Sequence, residues 1–125
     1  MAREAPSLAR LRAICLALPE ATERRTWECE TFRIRDKIFT MYVPGDAPGR
    51  DGRPAFWCKA PPGAQAILIA ADPTRFFRPP YVGPKGWIGV WLDCSPDWAE
   101  IADLVARSWR MTAPKRLVAG LAKPD

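Results

Sequence analysis

Histidine is absent from this 125-residue chain. Its absence removes the side chain that most often moves protons near neutral pH. It also removes the Ser–His and Cys–His pairs that activate a nucleophile. No GxSxG elbow, Walker loop or dinucleotide fingerprint is present either. Carboxylate or lysine chemistry is all that remains for catalysis, and no residue cluster points to it, so the expectation is a protein that is not an enzyme. The four cysteines, Cys15, Cys29, Cys58 and Cys94, are scattered without a CxxC pair. A zinc site would have to gather all four from distant elements, so neither a metal nor a cofactor is expected. Buried, reduced thiols are the simpler reading. No apolar run approaches the roughly 18 residues that a membrane helix needs. The opening MAREAPSLARLR lacks the apolar segment of a secretory signal. The cytoplasm is therefore the expected compartment.

What the chain does contain suits one domain spanning residues 1–125. Hydrophobic residues make up 48% of it, and six Trp, five Phe and two Tyr supply large units of burial. Ser7 reads as an N-cap, with Leu8, Leu11, Ile14, Cys15 and Leu18 at helical spacing until Pro19. That predicts an amphipathic helix over about residues 7–18, with Arg10 and Arg12 toward water. Glu23–Val43 alternates and is rich in aromatics, which argues for strands. Phe32 and Ile34 should face inward and Arg33 and Arg35 outward, with a tight turn at Arg35-Asp36-Lys37 before Ile38–Val43 returns. Pro44–Pro54 is a glycine- and proline-rich loop, and Ala55–Lys59 a third strand beside Ile38–Val43.

A short helix follows over about Ala64–Ala71, then an extended Phe76–Pro80 segment, because residues before proline leave the helical region. Trp87–Leu92 is a further strand. Ser95-Pro96 reads as a helix start, with Trp98, Ile101, Leu104, Val105 and Ser108 on one face. A break at Thr112-Ala113-Pro114 precedes a short helix carrying Leu117, Val118 and Leu121. The order is helix, three strands, helix, strand, helix. Its short links predict an α+β sandwich of two layers, a mostly antiparallel sheet with helices on one face.

Several stretches in this order resemble the MmcQ/YjbR family: LRAICLALPEATE at Leu11–Glu23, KIFTMY at Lys37–Tyr42, FWCKAPPG at Phe56–Gly63, PPYVGPKGWIGVWLD at Pro79–Asp93 and RSWRMTAPKRLVAGL at Arg107–Leu121. The resemblance implies a compact α+β domain of the CyaY-like or secretion-chaperone-like kind. Members are commonly labelled DNA-binding through a double-wing arrangement. The chain departs at Trp109, where tyrosine is the family expectation.

The charge sum is +5. Arg107, Arg110, Lys115, Arg116 and Lys123 lie between Asp103 and Asp125 with no acid among them, a footprint suited to a polyanion. Arginines near a helix C-terminus also favour the helix dipole, and that plainer explanation stays open. Arg33, Arg35 and Lys37 on a hairpin, with Arg50 and Arg53 on the neighbouring loop, would form basic wings. They could equally protect exposed strand edges. Gly83-Pro84-Lys85-Gly86 has a GxxG form but leads into a strand, and reads mainly as a turn. Trp87, Gly89 and Trp91 alternate with Ile88, Val90 and Leu92. That places two tryptophans on one sheet face with a gap between them. The face is read first as core and second as an aromatic platform.

The leading expectation is a DNA-binding module that contacts mainly phosphates. Lys37, Lys59, Lys85, Arg110, Lys115 and Arg116 would touch the backbone and Trp87 would stack. The alternative is a chaperone-like module holding a protein or small ligand on the aromatic face. No membrane partner is expected, and the oligomeric state is a monomer or weak dimer.

Overall fold

The computed structural model describes residues 6–27, 29–45, 52–93 and 95–122. Arg50, Cys94 and Lys123 lie outside the described residues. Helix α1 spans Pro6–Leu16, followed by strands β1 (Thr22–Thr26), β2 (Cys29–Ile34), β3 (Lys37–Val43) and β4 (Ala55–Cys58). Helix α2 (Ala64–Ala71) leads to the short β5 (Phe76–Phe77), a 3-10 turn over Gly83–Lys85 and strand β6 (Ile88–Trp91). Helices α3 (Trp98–Thr112) and α4 (Lys115–Ala122) complete the order. One sheet holds all six strands in the order β1-β2-β3-β4-β6-β5, and every pairing is antiparallel. The α+β sandwich is the predicted class, with two strands more than the sequence pattern separates. β1 is cut from β2 by a turn at Trp27, and β5 is two residues long, too short for a periodic signal.

Two helix starts differ from expectation. Pro6 occupies the first turn of α1, where a missing N–H costs nothing. Ser7 therefore sits inside the helix, its Oγ 3.5 Å from the Tyr42 hydroxyl. Helix α3 is capped by Asp97, whose carboxylate accepts from the amides of Ala99 (3.1 Å) and Glu100 (3.2 Å). Ser95 takes a left-handed backbone (φ 52°) instead. A carboxylate both satisfies the amides and meets the positive end of the helix, so it outcompetes a hydroxyl two residues earlier.

The main core lies between sheet and helices. It joins Leu8, Leu11 and Cys15 of α1 to Phe32, Ile34, Phe39, Phe56, Ile88 and Val90 of the sheet and to Ile101, Val105 and Trp109 of α3. Trp109 is fully buried, and its indole N–H donates to the Pro19 carbonyl at 3.1 Å. That bond ties α3 to the turn after α1 and meets the need of a buried indole for an acceptor. A second, smaller core occupies the other sheet face, where Met41, Val43, Trp57 and Trp87 pack with Ile38, Phe77 and Val82.

Candidate nucleic-acid interface

Antiparallel pairing decides which cations can meet. The β2–β3 turn is made by Arg35 and Asp36, both left-handed (φ 51° and 66°), so Lys37 opens β3 at that end of the sheet. Thr40 lies opposite Cys58, and Cys58 opposite Ile88. Lys59 therefore leaves β4 at the same end, and β6 begins there. The connection that carries Lys85 reaches β6 from this end too, since β5 runs antiparallel beside it. Helix α3 is pinned here by Ser108, which accepts from the Lys59 amide at 2.8 Å and donates to the Phe39 carbonyl. Arg110 lies two residues beyond that anchor, and Lys115 and Arg116 follow in the first turn of α4. The sheet thus brings Lys37, Lys59 and Lys85 to one end of the sandwich, and the cleft that Arg116 shares with Arg35 sets it beside the β2–β3 turn.

Within that group the three lysines interact most closely. Burial holds the Lys59 ammonium below the usual lysine range, and the charges of Lys37 and then Lys85 push it further down. Among the described residues none of the three makes an ion pair. Nearby carboxylates are already engaged. Glu20 takes two bonds from Arg35 (2.6 and 3.1 Å), and Asp36 lies 3.4 Å from Arg24 and 3.5 Å from Arg33. Accordingly the Glu20 carboxyl titrates below its ordinary value, chiefly through the hydrogen bond from Arg35. Arg110, Lys115 and Arg116 are exposed and also unpaired among the described residues. Arg116 lines a separate cleft with Pro19, Glu20, Arg35 and Leu117.

The hairpin arginines do not form free wings. Arg33 bends back to Thr31 Oγ1 (3.1 Å) and Thr26 Oγ1 (3.0 Å), and Arg35 is held by Glu20. Arg53 grips Asp93 at 2.8 and 3.1 Å and lies 3.9 Å over the Trp91 ring. Long arginine side chains can reach carboxylates that the fold brings near, a pairing that spacing along the chain cannot reveal.

Trp87 is not a stacking surface. It is 7% exposed and belongs to the second core. The gap at Gly89 is filled by the Phe77 ring, which a Cβ there would meet at 2.3 Å. Phe77 in turn stacks on Trp91, with ring centroids 4.2 Å apart. The face that the sequence left between core and platform is core, because β5 turns Phe77 into the slot. The buried thiols are equally closed to chemistry: burial raises Cys15, and raises Cys58 to about 12, slightly tempered by the charge of Arg107.

One exposed aromatic at the lysine end carries no periodic signal in the sequence. Tyr81 is 88% exposed and left-handed (φ 66°), and the Val82 amide reaches back across it to the Pro80 carbonyl at 2.6 Å. The available signal was its position between Pro79-Pro80 and the glycine-bearing turn.

Residues 16–111 match the YjbR family. The chain belongs to that family. The matched span takes in Lys37, Lys59, Lys85, Trp87 and Arg110 and ends before Lys115 and Arg116. A crystal structure of the Deinococcus radiodurans protein DR2400, which carries a DUF419 domain, is similar in fold. Its TM-score is 0.70 at 19% identity, over 83% of this chain and 76% of that one. No curated protein matches the chain. Among the described residues no helix is long and apolar enough to cross a membrane.

Proposed function

We propose that this YjbR-family chain is a non-catalytic DNA-binding module of the cytoplasm that contacts mainly phosphates. It would act as a monomer or weak dimer. The observation that carries the reading is the lysine trio: burial, and then the charges of Lys37 and Lys85, disfavour the Lys59 ammonium, and among the described residues none of the three is ion-paired with a carboxylate. Folding holds these like charges together at a cost, and a polyanion is the partner that would offset it. Phosphates also suit lysine, a compact point charge that needs no fixed approach angle. Such contacts position a duplex or strand without reading its sequence. The alternative of a ligand on the aromatic sheet face is left with less support, since Phe77 fills the slot and Trp87 is buried, although its helix-on-sheet fold remains.

The test is a titration of labelled duplex and single-stranded DNA at two salt concentrations. Counterion release predicts that affinity falls steeply as salt rises. Binding that ignores ionic strength, or no binding at low salt, would sink the reading.

A further inference from the structure

We infer that the lysine end is built for single-stranded DNA, with an unpaired base stacked on Tyr81 beside phosphates held by Lys85, Lys59 and Lys37. This rests on the phosphate-binding reading and names its substrate class. The first observation is the exposure of Tyr81, a ring 88% open to solvent on the same connection as Lys85. The second is its backbone. The Val82 amide bonds the Pro80 carbonyl across a tyrosine with φ 66°, a tight three-residue turn that a side chain enters only under strain. A glycine would take that conformation freely, so local stability does not explain a tyrosine there.

The third observation is that the connection is densely hydrogen-bonded. The Gly83 amide bonds the Pro79 carbonyl (3.0 Å), Lys85 bonds Val82 (3.0 Å) and Gly86 bonds Gly83 (2.9 Å). From α2, the Gln65 side chain donates to the carbonyls of Gly83 (2.9 Å) and Trp87. The aliphatic stem of Arg78 lies against Gly83. The backbone that presents the ring is therefore braced before any partner arrives, which lowers the ordering cost of binding.

Trp27 supplies a contrast. It is 77% exposed in a left-handed turn too, but at the far end of the sheet, where Arg25 is held by Glu30 at 2.6 Å. Of the two open rings, Tyr81 is the one that lies at the end where described lysines are unpaired. Stacking on an aromatic ring is available to a base that has left its helix, whereas duplex bases are already stacked on each other. The lysines would hold both forms of DNA, and Tyr81 would discriminate between them.

The experiment compares three labelled probes of equal length at low salt: a homothymidine strand, its duplex with homoadenosine, and an abasic sugar–phosphate strand. Tyr81→Ala is expected to weaken the thymidine strand roughly five- to a hundredfold while leaving the duplex and abasic strand unchanged. Tyr81→Phe should retain binding, because the stacking face survives. Tyr81→Gly serves as the folding control, melting no lower than the parent while losing the same discrimination. Equal losses on all three probes, or none, would overturn the stacking role and leave the lysines standing. If Lys59→Gln and Lys85→Gln also change nothing, or if no probe binds, the phosphate reading falls with it.

Discussion

The two ends of the sheet handle charge in opposite ways. At the end marked by Asp93, two of the described arginines are answered: Arg53 by Asp93 and the Trp91 ring, and Arg75 by Asp72 (2.8 Å) and Glu100 (2.6 Å). At the end marked by the β2–β3 turn, Lys37, Lys59 and Lys85 stand together with no ion pair among the described residues, and the nearby Asp36 and Glu20 are held by arginines. One end uses its charges to fasten strands and helices, and the other keeps them available. Mutations at the first should therefore register mainly in stability, and at the second mainly in binding.

The sharpest way to break that contrast is to replace Lys37, Lys59 and Lys85 together by glutamine. The log–log slope of DNA affinity against salt should become shallower by about 3, one for each phosphate that is no longer neutralised. Thermal melting should hold or rise slightly. A large fall in melting with an unchanged slope would assign the lysines a structural role.

Gly89→Ala probes the opposite property. Its Cβ would strike the Phe77 ring at 2.3 Å, so overpacking should cost about 1–3 kcal/mol in chemical denaturation. DNA binding measured below the melting transition should not change. Arg53→Ala is expected to be milder, at about 1 kcal/mol or less, since both its cation–π and ion-pair contacts are partly exposed.

The smallest effect is a pH signature of Lys59. Its charged form is disfavoured in the folded state, so between its depressed pKa and the unfolded value near 10.5 the unfolded chain binds more protons. Stability should rise slightly with pH through that window, relative to Lys59→Gln. DNA affinity should fall over the same window as the ammonium is neutralised. Paired denaturation and binding curves from neutral pH toward 10.5 would show whether the two move in opposite directions.

Much of the fold was legible along the chain. Phe32 and Ile34 alternate inward as their spacing requires, and Ala64–Ala71 and the break before Lys115 fall where the sequence puts them. The strand β1 and the two-residue β5 were not separable, because their hydrogen bonds come from neighbours rather than from their own periodicity. The site was legible only as a set of cations. Trp87 looked available because alternation reports which face a residue takes and not what covers that face. Tyr81 is not legible in the sequence because a single exposed ring has no period at all.

Composition and local pattern by themselves determined the positive charge, the lack of histidine chemistry and the class of fold, since these depend on residue identity and short-range spacing. Only the tertiary structure decided which cations found carboxylates and that Phe77, a dozen residues from Gly89, closes the gap between the tryptophans. Pairing and occupancy depend on distances between segments remote in the chain, and those distances exist only once the sheet has assembled.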